Sequence, residues 1–147
     1  MDALELLKED HQTVKELFEQ AQEKESGKEQ KKIFKQIKKE LEMHARIEES
    51  IFYPAMQEHE ELEDMVDEAF AEHKKVKTLL REIDRLSPDG QKFESKLKAL
   101  MESVEHHAEE EEEGKMFPKV RKIVDRTTLE ELGRELQSAK SKKRKAA

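Results

Sequence analysis

Residues 43–54 read MHARIEESIFYP, and residues 106–118 read HHAEEEEEGKMFP. The two stretches share a plan: a histidine, a carboxylate about one helical turn on, then an aromatic residue and a proline. In the first the pair is His44 and Glu48; in the second it is His107 and Glu111 at the same spacing of four. A spacing of four puts both side chains on one helix face, one turn apart. Each pair is preceded by a lone histidine, His11 and His73. The ligand-type residues therefore run His, His-x-x-x-Glu, His, His-x-x-x-Glu. Imidazole and carboxylate donors together suit iron, manganese or zinc.

The apolar pattern around these histidines is duplicated. Counting from His11, apolar residues fall at −7, −4, +3, +6, +7 and +10 (Leu4, Leu7, Val14, Leu17, Phe18 and Ala21). Counting from His73, the same six offsets hold Val66, Ala69, Val76, Leu79, Leu80 and Ile83. Before His44, apolar residues stand at −10, −7 and −3; before His107, Leu97, Leu100 and Val104 take those offsets. Each histidine thus lies on the apolar stripe of an amphipathic helix. Four segments follow: about 2–25, 28–57, 60–86 and 91–125. The first break is Ser26-Gly27, and the last is the turn Ser87-Pro88-Asp89-Gly90. Pro54 is expected to bend or stop the second segment. A fifth, weaker amphipathic piece ends near Ser138, with Thr127 or Thr128 as its expected cap.

Helix geometry brings the four histidines to one level. His11 lies 16 residues before Gly27 and His44 lies 17 after it; His73 and His107 each lie 17 from Gly90. At roughly 1.5 Å per residue, each pair climbs and descends about 25 Å from its turn. The expected fold is all-α: an up-down-up-down antiparallel four-helix bundle over residues 1–125. A short C-terminal fifth helix at 126–139 and a disordered basic tail at 140–147 complete it. Glu48 and Glu111 are expected one turn further along, facing inward. Two buried carboxylates at one level would repel each other, and no Lys or Arg occupies the neighbouring inward offsets. Two divalent cations would neutralise them.

Composition sets limits. Of 147 residues, 44% are charged and 5% aromatic, the profile of long solvated helices. No cysteine is present, which excludes disulfides, thiolate metal sites and iron–sulfur clusters. The net charge is −7, and residues 140–147 carry five positive charges; removing those leaves −12 on the rest. That balance argues against nucleic acid as a partner of the body. No apolar run is long enough to span a membrane. The acidic N-terminus lacks a signal-peptide pattern, so the expected location is cytoplasmic.

With these motifs the chain resembles the hemerythrin family, in its HHE cation-binding branch, over about residues 2–121. The residues that carry the likeness are Asp10-His11, His44 to Glu49 with Phe52-Tyr53-Pro54, and His106 to Glu111 with Met116-Phe117-Pro118. The resemblance implies a non-haem di-iron centre, oxo-bridged, with His11, His44, His73 and His107 as terminal ligands and Glu48 and Glu111 as bridges. It further implies a protein that binds, senses or reacts with oxygen, peroxide or nitric oxide, as stress proteins of the family do. An alternative is a non-enzymatic module for iron storage, delivery or sensing. Oxygen-carrying hemerythrins have two histidines one turn apart on the third helix; here Ala69 and Lys77 flank His73 at that distance. Four histidines and two bridging carboxylates would leave several positions on two octahedral metals for water or a small ligand, which favours reactivity or sensing over carriage. Ferritin-like bundles instead place Glu three residues before His, an order absent here.

Other residues receive a secondary reading. His106 is expected to face outward, paired with Glu110. Pro118 lies seven residues after Glu111, whereas Pro54 lies six after Glu48. An extra residue near Gly114, as a π-bulge, would alter that register and could exchange His107 and Glu111 for His106 and Glu110. His59 and Glu63 are read as loop residues. Glu49 and Tyr53 are placed behind the ligands, to orient them or gate access.

Overall fold

The computed structural model describes residues 1–146, with side chains described through Lys142. Its described residues form helices joined by short breaks. Helix α1 spans Ala3–Glu23 and starts at a capping box: Asp2 accepts from the Glu5 amide, and Glu5 accepts from the Asp2 amide. Helix α2 spans Gly27–Ile47, capped by Ser26. It runs on through a π segment, Glu48–Phe52, into α3, Tyr53–Gln57. Pro54 therefore does not end the second segment. It sits in the first turn of α3, where its missing N–H is tolerated. A 3₁₀ turn, Glu60–Leu62, leads into α4, Glu63–Arg85. Helix α5, Gln91–Glu105, continues through a second π segment, His106–Met116, into α6, Phe117–Ile123.

Packing follows the up-down-up-down plan. Helix α1 lies along α2, α4 along α5, and α2 touches α4 and α5. The two hairpin turns meet at one end. A Cβ built on Gly27 would stand 1.8 Å from the Pro88 carbonyl oxygen, so only glycine permits this approach. With both turns at one end, equal residue counts from them do place the four histidines at one height.

The interior divides into two apolar clusters. One, near the turns, contains Val14, Phe18, Phe34, Ile37, Leu80, Phe93 and Leu100. The other, at the far end, contains Leu4, Leu7, Phe52, Tyr53, Leu62, Val66, Phe117 and Val120. In each long helix the histidine falls between residues of the two clusters, so a polar layer separates them.

The fifth helix differs from expectation. Helix α7 spans Arg126–Ala146 and packs on α1, α2 and the first π segment. Asp125 accepts from the Thr128 amide at 2.8 Å, so the cap is Asp125 and not Thr127 or Thr128. Leu129, Leu132 and Leu136 bury themselves in the far-end cluster. The tail expected to be disordered from residue 140 is corrected at its start: Lys140 is buried and belongs to the packed helix. Ala147 lies outside the described residues, as do the side chains of 143–146.

Candidate metal centre

Four histidines converge between the apolar clusters. His44, His73 and His107 are buried, and the His11 side chain is 8% exposed. All four use their ring nitrogens in the same way. Each Nδ1 donates outward to a carboxylate: His11 to Glu113 at 2.7 Å, His44 to Asp10 at 2.9 Å, His73 to Glu49 at 2.7 Å and His107 to Glu72 at 2.6 Å. An ionised carboxylate only accepts, so it fixes a proton on Nδ1, and Nε2 is the nitrogen that offers a lone pair when the ring is neutral. Every Nε2 faces the centre of the layer.

Two fully buried carboxylates meet these nitrogens. Glu48 Oε1 lies 3.2 Å from His44 Nε2 and 3.1 Å from His73 Nε2. Glu112 Oε1 lies 3.0 Å from His11 Nε2 and 3.5 Å from His107 Nε2. The Tyr53 hydroxyl donates to Glu112 Oε2 at 2.5 Å and lies within 3.3 Å of His73 Nε2 and 3.2 Å of His107 Nε2. The donors form two groups: His11, His44, Glu48 and Glu112 in one, and Glu48, His73 and His107 in the other, with Glu48 common to both.

The second carboxylate is Glu112, and the placement expected for Glu111 is corrected. Glu111 lies on the outer side, 3.3 Å from Lys115 Nζ and 3.5 Å from the half-exposed His106, which also pairs with Glu110 at 2.8 Å. The physical reason is the π segment. A π turn takes one residue more than an α turn, so the residue five after His107 occupies the place four after it in an α-helix. The π segment begins at His106, so His107 keeps its inward place at its start and only the carboxylate downstream shifts. The two motifs match when counted from their prolines. Glu48 is six before Pro54 and Glu112 is six before Pro118. In both, the residue before the proline donates its amide five residues back: Tyr53 to the Glu48 carbonyl, Phe117 to the Glu112 carbonyl. Glu72 and Glu113 were not singled out, since nothing in a linear pattern distinguishes them from the solvated acids around them, and Asp10 entered only through the Asp10-His11 pair, with no link to His44.

The electrostatics draw positive charge into the layer. Burial pushes the His107 imidazole down, but Glu112, Glu72 and Glu48 outweigh it and raise its pKa to about 9. Burial likewise pushes His44 down, but Glu48 and Asp10 outweigh it and hold its pKa well above the ordinary value. His11 is raised against burial by Glu112 and Glu113. Burial acts to raise Glu48, yet His44 and His73 hold its carboxyl well below the ordinary range. Tyr53 is pushed well up by burial and by the charges of Glu112 and Glu48, so its hydroxyl stays protonated.

These groups are not satisfied by one another. His44 Nε2 and both Glu48 oxygens are buried without a hydrogen-bond partner, because their short contacts lack hydrogen-bonding geometry. His73 Nε2 and His107 Nε2 stand 3.2 Å apart. With protons fixed on both Nδ1 atoms, these two nitrogens share one proton while His107 is charged and confront each other as two lone pairs once it is neutral. Orphaned buried acceptors are costly, and a cation among them removes the cost. The donor set suits cation binding by imidazole and carboxylate, in two groups that have Glu48 in common.

Fold and donors together define a helical-bundle metalloprotein of the histidine–carboxylate class. The chain belongs to the family described as hemerythrin HHE cation binding domain, whose model matches residues 2–120. That membership makes it a cation-binding domain, and iron is the family's typical metal. It is similar to a solved hemerythrin HHE cation binding domain-containing protein from Mycobacterium kansasii. The identity is 28% and the TM-score 0.87, over 99% of this chain and 89% of that one. It is also 29% identical over 142 residues to a DNA nickase from Nostoc sp. (strain PCC 7120). The match takes in 97% of this chain but only 40% of that relative's length. No helix among the described residues is long and apolar enough to cross a membrane.

Proposed function

We propose that the protein is a non-haem di-iron protein that binds, senses or reacts with a small oxidant: oxygen, peroxide or nitric oxide. His11 and His44 would hold one iron, His73 and His107 the other, with Glu48 and Glu112 shared between them. When bound, the irons would supply Lewis acidity and a one-electron couple. The protein's part is placement. The outward carboxylates fix each ring, and Tyr53 orients Glu112 and offers a proton at its hydroxyl oxygen.

The observation that carries this reading is the set of unpaired buried acceptors, His44 Nε2 and both Glu48 oxygens, beside a small apolar cavity. The cavity has a volume of about 50 Å³ and lies against all four histidines, with Val14, Leu41, Val76, Leu80 and Val104 as its apolar wall. It has room for a diatomic molecule or peroxide and not for an organic substrate. Asp10, Glu42 and Lys77 also border it beside the histidines. Nucleic acid stays outside the reading, because the body's charge of −12 repels phosphate; nicking is what the longer Nostoc relative is named for.

The test is rapid mixing of iron-loaded, reduced protein with oxygen, hydrogen peroxide and nitric oxide, followed in the near-ultraviolet and visible. A spectral change that saturates at one equivalent per iron pair, within seconds, is expected with at least one of them. Iron that oxidises only at the rate of free ferrous ion would favour the alternative of iron storage or delivery.

A further inference from the structure

The four carboxylates behind the histidines are not equivalent. Glu49, Glu72 and Glu113 have side chains 25%, 21% and 32% exposed, so water can solvate their outer oxygens. Asp10 is only 7% exposed, and its single nitrogen partner on the site side is His44. A buried carboxylate bonded to one imidazole is poorly compensated. The compensation comes from the C-terminal helix. Lys140, itself buried, places Nζ 2.5 Å from Asp10 Oδ1, while Oδ2 accepts from His44 Nδ1. The sequence α7–Lys140–Asp10–His44 is thus an unbroken chain of contacts from the C-terminal helix to the metal layer. Its origin also sets it apart, since residues 121–146 lie beyond the span matched by the family model.

We propose that Lys140 is a positioning residue of the metal centre, and that docking of α7 and occupancy of the His11–His44 position are thermodynamically coupled. The proposal rests on the metal reading above. Lys140 fixes the Asp10 carboxylate with one oxygen toward His44, and Asp10 fixes the His44 ring with Nε2 inward. When α7 is undocked, Asp10 loses its counter-charge and can turn to water, and the His44 ring is released. By reciprocity, metal on His44 favours the docked helix by the same factor as docking favours metal. Lys77 provides an internal comparison. It bonds Glu49 behind His73 at 2.9 Å, but it is 45% exposed, so water can replace it.

Metal-free wild type, Lys140→Met, Lys140→Arg and Lys77→Met would be titrated anaerobically with ferrous iron against a competing chelator. Separately, protease cleavage within α7 would be timed with and without zinc, a readout independent of any reaction. For Lys140→Met the weaker iron step should lose roughly tenfold in affinity, the lower end of what removing a group behind a metal-bound histidine costs. Lys140→Arg should recover most of it, and Lys77→Met should stay within about twofold of wild type, as exposed pairs contribute little. Zinc should slow cleavage of α7 in wild type and in Lys140→Arg, but not in Lys140→Met. Equal affinities for wild type and Lys140→Met, or cleavage that zinc leaves unchanged in wild type, would overturn the coupling while leaving the metal centre standing. Wild type that takes up no metal would overturn both readings at once. Should Lys140→Met fold poorly, Lys140→Gln, which keeps most of the stem and can donate to Asp10 without charge, decides by the same comparison.

Discussion

Glu111 and Glu112 are adjacent acids in a run of five, and their surroundings differ completely. Glu112 is fully buried among His11, His107 and Tyr53, while Glu111 faces Lys115 and His106. Glu112→Gln should therefore lose at least one of two irons, and Glu111→Gln should keep both. Metal content of the two variants, prepared side by side, checks this; retention by Glu112→Gln would contradict the site. Protonation gives a second test. His107 has a pKa of about 9 against an ordinary 6.5. A group raised in this way stabilises the fold fully below its ordinary pKa and ceases to do so as pH rises through the folded value. The melting temperature of metal-free protein should thus fall between pH 6.5 and 9. Bound metal requires neutral imidazoles, so metal-loaded protein should hold its stability over the same window and its margin over the metal-free form should widen. Thermal melts of both forms across pH check the widening gap; parallel curves would contradict the assignment of His107 as a ligand. The histidines and Glu48 were legible from helical spacing alone. Glu112 was half legible: spacing from His107 selects Glu111, spacing from Pro118 selects Glu112, and only the backbone decides which count holds.

At the scale of elements, two π segments aim the carboxylates. Each is followed by a residue, Tyr53 or Phe117, that precedes proline and whose amide reaches five back. Their presence beside the site fits the general placement of π-bulges at functional positions. Amphipathic periodicity read the helices well because apolar residues at 3.6-residue spacing must face a common core. It could not locate the π segments, since inserting one residue changes no composition and leaves both flanking stripes intact. The hairpin turns set the height of the ligands, and their contact depends on Gly27. Gly27→Ala would drive a Cβ into the Pro88 carbonyl, displacing one turn and costing on the order of 1–3 kcal/mol. Chemical denaturation of Gly27→Ala checks it: a midpoint equal to that of wild type would show that the two turns do not meet as described. The fifth helix was legible as far as its leucines. Its continuation was not, because a lysine-rich stretch reads as solvated unless a buried acid elsewhere claims one lysine.

At the scale of the molecule, the bundle holds a polar layer between two apolar clusters. Such a layer is a defect in a core unless something satisfies it. His44 Nε2 and the Glu48 oxygens are left unpaired by the protein itself, so metal binding and folding are expected to be linked: ligands that bind the folded state stabilise it by mass action. The most direct measurement is the number of irons the layer takes. Metal-free protein titrated anaerobically with ferrous iron, with uptake verified by elemental analysis after gel filtration, should saturate at two per chain, and its melting temperature should rise with each step. Saturation at one per chain, or uptake that leaves the melting temperature unchanged, would contradict a di-iron layer built from His11, His44, Glu48, His73, His107 and Glu112.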